Sequence, residues 1–280
     1  MYIGRFAPSP SGPLHFGSIV AALASYLDAK ANHGKWLVRI EDIDPPREPK
    51  GAADSILFTL DSLGLHWDDS VFYQSQRNQA YLTQLNDWLA TKQAYACSCT
   101  RRRLKSLSGQ YDQHCLTANL PISGNAVRFL NHSPIQQFND GFLGKQIAKN
   151  TKFSEDFLIH RRDGLFAYQL AVVLDDIEQG VTHVVRGQDI LETTFWQIVL
   201  FHQLHKTPPT YCHIPLVMAE DGRKLSKQNH APAVSLAEKS QLLVNALRFL
   251  KQPILDEYQQ VPPDKLLTLA TQNWQPLNFI

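Results

Sequence analysis

An open parallel α/β sheet, wound on both faces by helices, is the fold class this sequence predicts, and three features predict it. Short apolar runs alternate with helical patterns along most of the chain, the order that builds parallel strands with crossover helices. A stiff loop containing Pro8, Pro10, Gly12, Pro13 and Gly17 joins the first apolar run to an Ala- and Leu-rich stretch, a strand-to-helix junction of the kind that meets ligands in such sheets. A cysteine-bearing segment then interrupts the alternation and reads as an insertion, and a short helical tail closes the chain.

Composition bounds the possibilities. With 280 residues, 44% of them apolar, there is material for one large domain and a smaller one. A formal charge of +1 gives no overall basic footprint, so an RNA partner would be met by local Lys and Arg patches. No apolar run approaches membrane-spanning length, and the N-terminus lacks a signal-peptide pattern. Four cysteines, three of them clustered, argue against a disulfide framework and for a reducing compartment, the cytoplasm. No obligate protein partner is evident.

Taken in order, residues 2–6 read as the first strand and 19–31 as the first helix, ending near Asn32-His33-Gly34 with Gly34 as its stop. His15 and Gly17 fall at the helix start, where unpaired N–H groups and the positive end of the helix dipole suit a phosphate, and hence a nucleotide. Residues 36–40 form the next strand, delivering Glu41, Asp42 and Asp44 at its carboxyl end, and a lone carboxylate there can grip an ammonium group. Pro45 and Pro46 break the chain. A helix over 52–63 buries Ile56, Leu57, Leu60 and Leu63 and closes at Gly64, and another over 79–92 presents Leu82, Leu85, Trp88 and Leu89.

Cys97, Cys99 and Cys115 then flank a basic run, Arg101, Arg102, Arg103 and Lys105. Clustered thiols in a cytosolic chain suggest structural Zn²⁺, which closes a small unit with little core. For a fourth ligand, His114 has the favoured chemistry but is adjacent to Cys115, whereas Tyr111 lies four residues before it on a shared helix face. Residues 126–130 and 142–147 read as strands and 157–159 with Gly164 as a hairpin edge. A helix over 165–176 carries Tyr168. A buried strand over 181–185 delivers Arg186, Gly187 and Asp189, and an arginine there is costly unless paired, which makes a substrate carboxylate a fitting partner. A helix over 193–205 and the stretch 211–218 lead to Lys224-Leu225-Ser226-Lys227-Gln228, whose two lysines can reach one triphosphate. Leucines at 242, 243, 247, 250, 266, 267 and 269 give the tail a few helices.

The His15-containing loop and the lysine stretch, in order and character, resemble the HIGH and KMSKS signatures of class I aminoacyl-tRNA synthetases. Arg5-Phe6-Ala7-Pro8-Ser9-Pro10-Ser11-Gly12 resembles the glutamyl branch, and with the cysteine segment and early C-terminus the chain resembles its truncated paralogues over nearly its whole length. The second histidine of HIGH is Ser18 here, and the lysine motif ends in Gln228. The resemblance implies a Rossmann-type catalytic domain in two halves, 1–92 and 161–228, a zinc-bearing acceptor-type insertion at 93–160, and a stem-contacting helical tail at 229–280. Its implied chemistry is activation of L-glutamate by ATP with Mg²⁺, independent of tRNA, then transfer to queuosine at the wobble position of tRNA(Asp). It assigns catalysis to His15, Lys224 and Lys227, and ATP binding to His15, Gly17 and Lys227. Glutamate falls to Arg5, Phe6, Ala7, Pro8, Ser9, Glu41, Tyr168 and Arg186, and one Zn²⁺ to Cys97, Cys99, Tyr111 and Cys115. Alternatives are a shortened glutamyl-tRNA synthetase charging the 3′ end, a non-enzymatic tRNA-binding paralogue and a small-molecule nucleotidyltransferase.

Overall fold

The computed structural model describes residues 1–107, 110–148, 151–218, 222, 224–225 and 232–275. Its centre is a five-stranded sheet built from β1 (Ile3–Phe6), β2 (Lys35–Ile40), β3 (Phe72–Tyr73), β9 (His183–Gly187) and β10 (Thr210–Ile214). The spatial order is β10-β9-β1-β2-β3 and every pairing is parallel. Chain order runs outward in both directions from β1, so the switch point lies between β1 and β9, where open α/β sheets place their ligands. The strands there are nearly continuous apolar runs because helices cover both faces. Arg39 in β2 and Arg186 in β9 interrupt those runs, and both are buried.

The first crossover is α1 (Phe16–Ala31), which begins earlier than the apolar pattern suggests because His15 caps it. At its far end the left-handed residue is His33, with φ of 52°, rather than Gly34. Gly34 serves a different need: a Cβ there would lie 2.5 Å from the Tyr2 carbonyl oxygen. Helix α2 (Ala52–Ser62) buries Ile56 and Leu60 and ends on Gly64, with φ of 75°. Helix α3 (Asn78–Ala90) corrects one expectation: Leu82 is 40% exposed, whereas Tyr81 is fully buried and donates its hydroxyl to Asp175 at 2.5 Å.

The insertion carries β4 (Ala94–Cys97), the short helix α4 (Arg101–Ser106), β5 (Ala126–Phe129) and β8 (Phe157–His160), the strands forming an antiparallel sheet in the order β4-β5-β8. Where one strand over 142–147 is expected, the chain forms a hairpin of β6 (Gln137–Asp140) and β7 (Gly144–Ile147). Phe142 sits in its turn and packs into the main core. Helix α5 (Tyr168–Glu178) starts three residues later than expected, and β9 is shifted so that Arg186 and Gly187 belong to the strand. Helix α6 (Thr193–Gln203) crosses from β9 to β10.

The tail supplies α7 (Lys239–Phe249) and α8 (Pro263–Gln272). Leu243, Leu247, Leu250, Leu266 and Leu267 are buried in the same cluster as Leu23 and Leu27 of α1, so these helices complete the core beneath the first motif.

Candidate active site

The loop after β1 is tied to the end of β2 by a hydrogen bond from the Glu41 N–H to the Pro8 carbonyl, 3.0 Å. His15 is the N-cap of α1, and its Nδ1 accepts from the Ser18 N–H at 3.3 Å. A Cβ on Gly17 would approach the imidazole to 3.2 Å, so glycine lets the ring fold over the helix start. The first N–H groups of α1 are thereby gathered beside an imidazole, an arrangement suited to a phosphate.

Ser9, Glu41 and Tyr168 line one cavity of about 480 Å³, together with Asp44, Arg47, Gln74, Arg161 and others. A second cavity, about 350 Å³, shares Leu158, Ala167 and Tyr168 with it and reaches Tyr111 and Arg128 of the insertion. Arg186 donates to the Tyr168 hydroxyl at 3.3 Å, which joins it to the first cavity's wall. Lys224 forms an ion pair with Asp189, just beyond β9. A Cβ on Gly187 would lie 2.6 Å from an Asp189 carboxylate oxygen, so a larger residue there would push the Asp189 side chain aside. Ser226, Lys227 and Gln228 lie outside the described residues.

A buried ionic cluster underlies the loop. Asp176 of α5 receives Arg5 at 3.2 Å and Arg39 at 2.7 Å, and Arg39 also reaches Glu41 at 3.5 Å. Burial pushes the Asp176 carboxyl up, but Arg39 and Arg5 overrule it and hold the group below the usual carboxylate range. At Glu41 the balance reverses: burial raises the carboxyl more than Arg39 and Arg5 lower it. Such a carboxylate gains most from an arriving cation. Asp175 braces the neighbouring elements, accepting from Tyr81 and, at 2.8 Å, from Gln74.

Around Arg186 the partners are neutral. Its Nε donates to His213 Nε2 at 3.0 Å and its Nη2 to Thr194 Oγ1 at 2.8 Å, while the guanidinium lies 4.9 Å from the Tyr211 ring centre. Sequence reasoning singled out neither His213 and Thr194 nor Arg39, Asp140 and Asp176. The available signal was a polar residue within an apolar strand, as Arg39 is in β2 and His213 is between Cys212 and Ile214.

In the insertion the sulfurs of Cys97, Cys99 and Cys115 all lie within 4.8 Å of one another. Cys99 and Cys115 are 3.6 Å apart, close to the separation of about 3.8 Å that thiolates around one tetrahedral ion adopt at Zn–S of about 2.3 Å. Tyr111 is buried with them, its hydroxyl accepting from the Cys115 N–H at 3.1 Å, whereas His114 is exposed and outside the thiol group. Two guanidiniums attend the sulfurs: Arg128 donates to Cys97 at 3.3 Å and Arg103 to Cys99 at 3.7 Å. Burial raises the Cys115 thiol, but hydrogen bonds from Ser98, Cys99 and Cys97 together outweigh it and bring the group down to about 7. Burial and neighbouring sulfurs push Cys99 up to about 12, the crowding that a shared cation relieves. The three clustered thiols therefore fit a shared metal ion.

Residues 3–252 match the family model for the catalytic domain of class I tRNA synthetases (E and Q). The chain belongs to this family. Within it, the glutamyl-Q tRNA(Asp) synthetase of Photorhabdus laumondii is 52% identical over 273 residues, 98% of this chain and 86% of its own length. The protein of the same name from Klebsiella pneumoniae is 53% identical over 276 residues, covering 98% and 94%. A solved glutamate tRNA ligase from Elizabethkingia meningosepticum, in complex with its amino acid, matches the whole chain and 67% of its own with a TM-score of 0.76 at 25% identity. A glutamate-tRNA synthetase structure from Elizabethkingia anophelis gives 0.77 over the whole chain and 68% of its own. The class I synthetase fold is thus shared across the full chain, and this synthetase is an ATP-dependent ligase that transfers glutamate to tRNA. Among the described residues, no helix is long and apolar enough to cross a membrane.

Proposed function

We propose that the protein activates L-glutamate with ATP and Mg²⁺ without needing tRNA, and then transfers the glutamyl group to queuosine at the wobble position of tRNA(Asp). In the first step a glutamate α-carboxylate oxygen attacks the α-phosphorus and pyrophosphate leaves. In the second a hydroxyl of the queuosine cyclopentene-diol attacks the acyl carbon, releasing AMP. The observation that carries this reading is the convergence of Glu41, Tyr168 and Arg186 at a cavity that is also lined by Ser9 and Ser11 of the loop leading into the His15-capped start of α1. It pairs an anionic group for the ammonium with a cationic group for the side-chain carboxylate, beside a loop that leads to a helix end suited to phosphate.

In this reading Arg5, Phe6, Ala7, Pro8 and Ser9 shape the glutamate pocket, and His15, Gly17 and Lys227 hold ATP. With Lys224 assisting, His15 and Lys227 stabilise charge that builds on the phosphates, as preorganised donors do. Cys97, Cys99, Tyr111 and Cys115 would hold one Zn²⁺, whose part is to close the insertion's fold. Substrates of this kind place the enzyme in the cytoplasm. The names of the relatives from Photorhabdus and Klebsiella support the tRNA(Asp) acceptor.

The test is labelled glutamate with tRNA(Asp) prepared with and without queuosine. Label should enter only the modified tRNA and should stay after the terminal adenosine is removed. Label lost with that adenosine would mark a shortened glutamyl-tRNA synthetase instead.

A further inference from the structure

Arg186 is 5% exposed, and a guanidinium has five N–H donors. Among the described residues three are committed, one each to His213, Thr194 and Tyr168, which leaves two for a ligand carboxylate. For His213 Nε2 to accept from Arg186, the imidazole proton must sit on Nδ1. That nitrogen faces Asp140 Oδ2 at 2.5 Å, in a pair with no solvent exposure.

The geometry points to Asp140 and His213 as a positioning pair for Arg186: Asp140 fixes the imidazole tautomer, and His213 in turn fixes the guanidinium that receives the glutamate carboxylate. This rests on the glutamate-activating role proposed above. Asp140 is also what the β6–β7 hairpin contributes to the main sheet. Asp140 ends β6, and Gly141 beside it donates to the Tyr211 carbonyl at 2.8 Å. A Cβ on Gly141 would lie 2.5 Å from the Cys212 sulfur, so glycine allows the hairpin to reach β10.

The carboxylate is itself oriented. Asp140 Oδ1 accepts from the N–H groups of Phe142, Leu143 and His213 at 3.0, 3.0 and 3.1 Å. An asparagine at this position must keep its oxygen towards those three donors, and its amide nitrogen then faces the imidazole. His213 would have to accept on Nδ1 and carry its proton on Nε2, setting donor against donor at Arg186. Asp140→Asn is therefore nearly isosteric yet disrupts the chain of orientation, as loss of a histidine's orienting carboxylate does elsewhere.

The experiment is ATP–pyrophosphate exchange on wild type, Asp140→Asn, His213→Leu and His213→Gln, with KM measured separately for glutamate and ATP. Asp140→Asn and His213→Leu should raise the glutamate KM about tenfold or more, the scale of one charged hydrogen bond, and leave the ATP KM within about twofold. His213→Gln offers Arg186 a carbonyl oxygen and Asp140 an amide N–H, and should stay within about threefold of wild type. A glutamate KM unchanged in both disruptive variants, or an equal loss for both substrates, overturns the positioning role. If Asp140→Asn does not fold, the contrast between His213→Leu and His213→Gln decides. Wild type that fails to exchange with glutamate refutes the functional reading instead. The orienting link is checked without substrate by the ¹⁵N shifts of His213, with the proton expected on Nδ1 in wild type and on Nε2 in Asp140→Asn; a wild-type proton on Nε2 overturns it.

Discussion

Arg5 and Arg186 stand on neighbouring strands at the same edge of the sheet, each almost fully buried, yet their surroundings are opposite. Arg5 meets the Asp176 carboxylate through two nitrogens, at 3.2 and 3.4 Å, and its charge is balanced within the fold. Arg186 meets an imidazole and two hydroxyls, and the carboxylate associated with it, Asp140, stands on the far side of His213. A guanidinium held by neutral acceptors keeps its direction without losing its charge, so it remains able to receive an anion. Burial and strand position are shared by the two arginines; what differs is the charge of their partners, so Arg5 carries a structural load within the fold that Arg186 does not.

The strongest way to break this comparison is Arg186→Leu. It should lower kcat/KM for glutamate in ATP–pyrophosphate exchange by about 10²- to 10³-fold, the effect of removing one member of a buried charge pair, with little change in melting temperature. A melting loss with normal kinetics would place Arg186 in the structural class. Arg5→Leu should cost stability as well as glutamate binding, because Arg5 is both a wall of the proposed glutamate pocket and a partner of Asp176. It leaves Asp176 with Arg39 alone, and denaturant unfolding should show a loss of about 3 kcal/mol. Adding Asp176→Asn to Arg5→Leu should recover part of that loss.

Arg128 is a third case, a guanidinium set on a sulfur, and it extends the comparison to the insertion. Purified protein should carry about one zinc per chain by elemental analysis, and Cys97→Ser or Cys115→Ser should lower both metal content and thermal stability. Tyr111→Phe and His114→Ala, made separately, identify the fourth ligand; zinc loss from the His114 change alone would reject Tyr111. The smallest effect concerns pH. Asp176 is held below its ordinary value, so its contribution is present above about pH 4 and lost as pH falls through its folded value. Glu41 is held above its ordinary value, so its contribution is full when protonated and declines as pH rises through its folded value. Stability curves of Asp176→Asn and Glu41→Gln should therefore flatten on the acid and the less acid side, respectively.

Much of the fold was legible because it is local. The Pro- and Gly-marked loop, the His15 cap and the leucine spacing of the tail all read within a few residues of themselves. The stop of α1 was misread because a left-handed His33 and a sterically required Gly34 look alike in sequence. The buried place that apolar spacing gives to Leu82 goes instead to Tyr81, because an apolar count cannot see that Asp175 offers Tyr81 a buried acceptor. The polar clusters were not legible for a different reason: Arg5 with Asp176, and Asp140 with His213, join residues far apart along the chain. Only the β6–β7 hairpin and α5, once folded, bring them together.

Helix α1 carries the first motif at one end, and its flank is closed by α7 and α8. Trp274 even donates to Asp28 at 3.1 Å across 246 positions of sequence. A ribosome delivers α1 long before α7 and α8. The motif-bearing helix α1 must therefore wait, its apolar flank uncovered, until α7 and α8 have emerged. Packing of this helix thus lags well behind the synthesis of the motif it carries.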